Sequence, residues 1–320
     1  MYKVSVIVPV YGTEQYIERC ARSLFEQTLD DIEYIFVNDC TPDASIEILE
    51  DVINRYPNRK LHVHIINHNE NKGLPSARQT GVYEAQGEYI AHCDSDDWVD
   101  VDMYRTLYEV AKSGNHDYVK CSHIITDGNG HNKIIVPLHK SVNVSKKQVI
   151  SDLLLCKGWN SVWDTIVKRT LYTEDVKFAP YTMLEDFFLS TQLLIKAKSI
   201  YCIEKPLYYY YQNSNSICGR KDVSSYLKRV VQAKENILLI EGFIKDEYGS
   251  TLYKKELVSL KYIAYKLLYP IMNSNYYNYW NNLFPELKKQ IFFSPYLSKL
   301  DKLKFYLVEF HLFEIFRKCL

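Results

Sequence analysis

Three carboxylates within four residues, Asp94, Asp96 and Asp97, follow directly on the apolar run Tyr89-Ile90-Ala91 and are closed by Trp98. Like charges at that spacing repel one another unless a cation sits among them. A divalent metal is the natural neutraliser, and a few hard carboxylate oxygens suit Mn²⁺ or Mg²⁺ shared with a substrate phosphate. The competing reading is a solvated acidic loop, the usual fate of a charge run; the position between a buried run and a tryptophan favours the metal. Asp39 also ends an apolar run, where an aspartate alone is more often a turn residue or helix cap. Two carboxylate-bearing strand ends in one sheet make a stronger case. Arg78, just after Asn71-Lys72-Gly73-Leu74, could reach a phosphate or pair with these aspartates, and by itself reads more plainly as a surface arginine. Asp186, in the pair Glu185-Asp186 that opens a helical segment, reads on residue type alone as an acid stabilising the helix dipole. His62 and His64 share one strand face without a third ligand nearby, so zinc is not expected. His92 reads as a satisfied polar residue at the sheet rim.

These groups need elements to hold them. Apolar, β-branched runs alternate with helical-period segments through the first 125 residues, the signature of β-α-β units and a mostly parallel sheet. Strands are expected at Val4–Val10, Ile32–Val37, Leu61–Ile66, Glu88–Cys93 and Asp117–Ser122. Helices are expected between them, with apolar faces such as Ile17, Ala21, Leu24 and Phe25. In such sheets ligands bind at the carboxyl ends of strands, which here read Pro9-Val10-Tyr11-Gly12, Asn38-Asp39 and Asp94-Ser95-Asp96-Asp97. No G-x-G-x-x-G follows the first strand and no G-x-x-x-x-G-K-[ST] occurs, so the dinucleotide fold and the P-loop lose their main support. Further on, Asp127–His131 reads as a turn, Ser145–Cys156 and Glu185–Lys198 as helices, Tyr201–Ile203 as a short strand and Tyr208–Tyr211 as an aromatic run. From about Val223 the pattern is helical. After Pro295 it places Leu300, Leu303, Leu307, Phe310, Phe313 and Phe316 on one face, ringed by Lys299, Lys302, Lys304, Arg317 and Lys318.

The 320 residues are 47% hydrophobic and 24% charged, with Lys+Arg 39 balancing Asp+Glu 39, which excludes a disordered or collagenous chain and argues against a nucleic-acid partner. The zero net charge conceals a division. Residues 1–160 carry 16 basic and 23 acidic side chains, net −7, and residues 161–320 carry 23 and 16, net +7. Eight cysteines without a C-x-x-C pair read as free thiols in a reducing cytoplasm. Val4–Val10 is too short to span a membrane and reads as a strand, not a signal peptide.

Val4–Tyr11, Val37–Pro42, Asn71–Gly81 and Gly87–Trp98, taken in order, resemble the successive nucleotide-sugar motifs of family 2 glycosyltransferases. The resemblance continues more loosely through Val162-Trp163-Asp164, Leu184-Glu185-Asp186, Tyr208–Tyr211 and Ser214-Asn215-Ser216-Ile217, leaving the last hundred residues outside it. It implies an α/β fold of GT-A type, a Rossmann-like, mostly parallel sheet with a C-terminal helical subdomain. The transferase domain would occupy residues 1–219, with 1–125 serving the donor and 126–219 the acceptor, and the helical region 220–320. It further implies that Pro9, Tyr11 and Asp39 hold the base and ribose of the donor, with Arg78 near the base or diphosphate. Asp94 and Asp96 would form the D-x-D pair, Asp96 nearest a Mn²⁺ or Mg²⁺ ion; Asp97 would face the sugar, and Asp186 would match the catalytic base. Gly12 stands where the family often has asparagine, as does Gln79 after the arginine.

The expected activity is inverting, metal-dependent transfer of a sugar from a nucleoside-diphosphate donor, with UDP the expected nucleotide, to a hydroxyl of a glycan or lipid-linked glycan in surface polysaccharide synthesis. The alternatives are a nucleotidyltransferase, or a non-catalytic docking subunit of a glycan-assembly complex. The chain is expected in the cytoplasm. Its basic tail reads either as packing or self-association within a homo-oligomer, or as peripheral contact with the inner face of the membrane.

Overall fold

The computed structural model describes residues 1–128, 133–136, 145–213 and 219–316. The chain divides into two compact units, Met1–Val149 with Asn160–Ser214, and Ile150–Trp159 with Asn215–Leu320.

The first unit is built on one sheet of β1 (Val4–Val10), β2 (Ile32–Asn38), β3 (Val63–Asn67), β4 (Tyr89–His92), β5 (Trp98–Val99), β6 (Tyr118–Thr126), β7 (Lys133–Val136), β8 (Thr165–Lys168) and β9 (Ile200–Tyr211). Their order is β3-β2-β1-β4-β8-β6-β9-β5, with β7 also on β6. β3, β2, β1 and β4 run parallel, as do β6 and β9 over nearly their whole length. The shorter β4–β8, β6–β8, β6–β7 and β5–β9 pairings are antiparallel. The sheet is thus mostly parallel, as expected. Every residue of β1 is buried, which is why that strand reads as an apolar run broken only by Ser5. The Ile17–Phe25 helix covers one face with Ile17, Cys20, Ala21, Leu24 and Phe25, the i, i+3, i+4, i+7, i+8 stripe of an amphipathic helix.

The Leu74–Glu84 helix covers the other face. It starts after Gly73, whose φ of +87° glycine adopts without Cβ strain, and carries Pro75 in its first turn. Its buried stripe is Ala77, Arg78, Gly81 and Val82. Arg78 therefore points into the protein rather than to solvent, against the plainer expectation for a lone arginine.

Two buried polar groups tie the loop before β4 to the sheet. Ser5 donates to Glu33, which also accepts from the backbone N–H groups of Gln86 at 2.5 Å and Gly87 at 2.9 Å. A Cβ on Gly87 would stand 2.6 Å from Ser5 N and 2.8 Å from Val4 C, backbone atoms of the central strand. Gly87→Ala is expected to destabilise the fold by about 3 kcal/mol, read as a lowered thermal-unfolding midpoint. An unchanged midpoint would mean that β1 yields at no cost.

The second unit contains helices Val223–Tyr248 and Lys254–Leu268, a series of short helical segments, and helix Lys299–Glu309. Ser298 and Asp301 close the last of these at its start as a capping box. Tyr253, Tyr262 and Tyr265 are core residues: Tyr265 packs on Trp280 with ring centroids 4.5 Å apart, and both reach Phe305. The tail is not one helix. His311 takes a left-handed φ of +59°, and Phe313 turns inward to stack on Tyr269, so it leaves the face on which the 3.6-residue period placed it. Some of the turn expected at Asp127–His131, together with Ser214–Ile217, Arg317 and Lys318, lies outside the described residues. No helix among the described residues is long and apolar enough to cross a membrane.

Candidate functional site

The carboxyl ends of β1, β2 and β4 come together as the parallel register requires: Val10 pairs with Asn38, and Ile7 with His92. Pro9 is buried at the end of β1, and Tyr11 beyond it is half exposed. Gly12 follows with φ +67°, a left-handed conformation that asparagine also tolerates.

Asp39 is 3% exposed. Its carboxylate accepts from the N–H groups of Lys72 and Gly73, each at 2.8 Å, and lies 2.7 Å from His68 Nδ1. It thereby fixes the entry to the helix that carries Arg78. His68 was not foreseen; nothing in the local pattern couples it to a residue 29 positions away.

The acidic loop after β4 divides its three carboxylates among different tasks. Asp97, expected at the sugar, is instead 1% exposed and turned onto β9, accepting from the Tyr208 hydroxyl at 2.7 Å and the Tyr211 N–H at 2.7 Å. Burial, then the neighbouring Asp96 and Asp94 charges, push its pKa well above the carboxylate range. Tyr208 also accepts from the Asp94 N–H at 3.1 Å, so a single buried hydroxyl sets the loop. Asp96 is half-buried; its side chain accepts from the Asn213 amide at 3.3 Å, and its carbonyl accepts from Arg19 at 2.8 Å. Burial and then Asp94 push the Asp96 carboxyl up to about 6. The Arg19 guanidinium lies 3.7 Å over the Trp98 ring and 4.8 Å over Tyr211, a cation–π sandwich that braces the loop from behind.

Arg78 is the hinge of the site. One nitrogen pairs with Asp94 at 2.7 Å and another with Glu185 at 2.9 Å, with the arginine 1% exposed. The Asp94–Asp97 loop and the Glu185-Asp186 helix start therefore meet across one guanidinium. Glu185 was missed as a participant, because its partner lies 107 positions away in sequence. Leu184 before it takes a left-handed φ of +64°, which turns the chain sharply into the helix. Asp186 is half-buried and accepts from the Phe187 N–H at 2.8 Å. Burial and then the Glu185 charge push it up to about 7, with Arg78 opposing.

The remaining support comes from Trp163, stacked on Tyr208 and Tyr210 at 4.5 and 5.5 Å. Beside it, Asp164 is fully buried, pairs with Lys120 and lies 3.1 Å from His123 Nδ1. Although burial alone would raise it, the Lys120 and His123 partners hold Asp164 below the usual carboxylate range.

Removing the Arg78 charge should be costly. Glu185 is buried and already raised in pKa by that burial, with Arg78 opposing. Arg78→Met would leave it charged and unpaired, at about 3–5 kcal/mol of stability. A carboxyl with a raised folded-state pKa destabilises as pH climbs above its unfolded value, so the deficit should be smallest at acid pH and largest at neutral pH. Urea unfolding of the variant across that range checks both size and sign.

The residues present fit a divalent cation of the kind shared with a substrate. Among the described residues no three His, Cys, Asp or Glu side chains form a complete cage. Asp94 and Asp96 instead offer hard oxygens from one loop, where burial and then the Asp94 charge raise the Asp96 carboxyl, with Arg19 opposing. Such a site suits an ion completed by phosphate oxygens and water.

A mostly parallel sheet whose strand ends gather an aspartate loop against an acidic helix start defines a glycosyltransferase of GT-A type. Residues 5–173 match the family described as Glycosyl transferase family 2, and the chain belongs to that family. It is 33% identical over 244 residues to the uncharacterized glycosyltransferase EpsJ of Bacillus subtilis, covering 72% of this chain and 68% of that one. It is 28% identical over 316 residues to the cholesterol galactosyltransferase of Borreliella burgdorferi, covering 95% and 84%. In fold it is similar to residues 1–349 of S. aureus TarS, solved in complex with UDP, with a TM-score of 0.69 and 19% identity over 98% of this chain and 89% of that one.

Proposed function

We propose that this glycosyltransferase moves a sugar, with inversion, from a UDP-linked donor to a hydroxyl of a glycan or lipid-linked glycan acceptor in surface polysaccharide synthesis. The observation that carries the reading is the Arg78 bridge, which holds Asp94 and the Glu185-Asp186 pair at one guanidinium. A donor loop and a general base must lie at such close quarters for direct displacement at one sugar carbon. Family membership favours sugar transfer over the nucleotidyltransferase alternative, and a set of charged residues this costly to bury argues against a mere docking subunit.

In this reading Pro9 and Tyr11 flank the nucleoside, and Asp39 shapes that end by fixing the Lys72–Gly73 backbone. Asp96, with Asp94 beside it, would hold Mn²⁺ or Mg²⁺, which when bound offsets the charge gathering on the leaving diphosphate. Arg78 orients Asp94, while Asp97 acts at one remove by locking the loop to Tyr208 and Tyr211. Asp186 takes the acceptor hydroxyl proton as the acceptor oxygen bonds to the anomeric carbon. The carbon–oxygen bond to the diphosphate breaks, its electron pair leaving on UDP. Attack from the face opposite the leaving group inverts the anomeric centre.

Incubation with a panel of nucleotide sugars and Mn²⁺, scoring release of nucleoside diphosphate, tests the donor class. Release from one or more UDP-sugars, abolished by chelation, is expected. Release only from GDP- or dTDP-sugars would overturn the UDP assignment, and release unaffected by chelation would overturn the metal.

A further inference from the structure

The Lys299–Glu309 helix has two apolar faces. Phe305 and Val308 face its own unit and are fully buried. At about 100° per residue, Leu300, Leu303 and Phe310 fall on a separate arc and are 50%, 50% and 66% exposed. Tyr306, at the edge of that arc, touches Phe310 at 6.1 Å between ring centroids and Phe292 at 6.4 Å. Phe292 in turn meets Phe293, and these two rings are 61% and 79% exposed. The result is one continuous outward strip of aromatic and leucine side chains, which a soluble surface rarely carries without a partner.

Its charges indicate what covers it. On the same helical projection Lys299 lies within the arc, with Lys302 and Lys304 on its two flanks; Lys289 is exposed beside Phe292. None of the four lysines forms an ion pair among the described residues. The acids that would spoil a basic surface are engaged elsewhere. Glu309 accepts from Trp280 Nε1 at 3.1 Å and pairs with Lys288, Glu314 accepts from the Ser274 N–H at 2.8 Å, and Asp301 caps its helix and pairs with Lys266. A second copy docked symmetrically would bring the same unpaired lysines face to face. An anionic bilayer would neutralise them, while their alkyl stems and the aromatic rings enter the headgroup boundary.

We infer that Phe292, Phe293, Leu300, Leu303, Tyr306 and Phe310, with their flanking lysines, form a surface that docks onto anionic lipid bilayers. The surface is independent of the transfer reaction, so its test reads binding alone. The full chain is sedimented with vesicles of phosphatidylcholine containing about one third phosphatidylglycerol, and with phosphatidylcholine alone. Binding to the anionic vesicles only, and its release at about 0.5 M salt, is expected. With each lysine near the surface contributing about fivefold, Lys299→Gln/Lys302→Gln/Lys304→Gln should weaken partitioning on the order of a hundredfold. Phe293→Ser/Phe310→Ser should abolish it even at low salt, with circular dichroism unchanged. Equal partitioning onto neutral vesicles, no partitioning, or undiminished binding by both variants overturns the inference. So does a dimer in sedimentation equilibrium that the Phe293→Ser/Phe310→Ser variant dissolves, which would assign the strip to a second copy.

Discussion

Asp186→Asn is expected to lower turnover by roughly 10²–10⁴-fold, the usual contribution of a positioned general base, while the affinity for UDP stays near that of the parent chain. The substitution keeps the shape of the side chain and its hydrogen bond from the Phe187 N–H, and removes the negative charge and with it the ability to take a proton. The donor side should not notice, because Asp94 is held by Arg78 and Tyr208 rather than by Asp186. The parent enzyme should also reveal the base through its pH profile. With Asp186 pushed up to about 7 by burial and by Glu185, the active, deprotonated form falls about tenfold for each pH unit below that value. Turnover should therefore rise with pH through the neutral range and level off above it, and Asp186→Asn should lose that rising limb. A variant that keeps both its turnover and the limb would remove Asp186 from the role.

How far the sequence reaches toward this site depends on how local the cause is. β1 and β2 are central and parallel, so their burial on both faces appears as apolar runs interrupted only by Ser5 and Glu33 before their ends, and the aspartates that follow β2 and β4 are legible as strand ends. β9 is different. Tyr201–Ile203 and Tyr208–Tyr211 read as separate pieces because Glu204-Lys205-Pro206 interrupts them, yet the strand continues through a register shift opposite Ser122. Proline, lacking an N–H, cannot keep the ladder regular, and an irregularity there absorbs it. That shifted strand delivers Tyr208 to Asp97, a contact no sequence period announces. β5 and β8 are two and four residues long, too short for any period to register. Arg78 and Glu185 illustrate the limit most clearly. Their residue types were visible, but whether the arginine faced water or protein was set by Ala77, Gly81 and Val82 closing on the sheet, and its second carboxylate came from the far side of the fold.

Asp96→Ala is expected to abolish measurable transfer and to remove the dependence of UDP affinity on Mn²⁺. Asp94 alone cannot replace it, since one of its oxygens is committed to Arg78 at 2.7 Å. Asp97 cannot either, because both of its oxygens are occupied by Tyr208 and Tyr211. Of the three carboxylates in the loop, Asp96 is the least committed, its one side-chain bond being the 3.3 Å contact from the neutral Asn213 amide, so it has the most capacity left for a metal; burial and then Asp94 raise its carboxyl to about 6. An opposite-charge partner lowers a carboxyl pKa, so Mn²⁺ competes with protons and metal-dependent UDP binding should weaken as pH falls through about 6. The fold should survive the substitution. Removing Asp96 relieves repulsion from Asp94 and Asp97, and Arg19 keeps its bond to the residue 96 carbonyl, which alanine also supplies. Titration calorimetry of UDP with and without Mn²⁺, alongside thermal unfolding, separates the outcomes. Lost metal enhancement with an unchanged melting midpoint supports the assignment, and retained enhancement would move the metal away from Asp96.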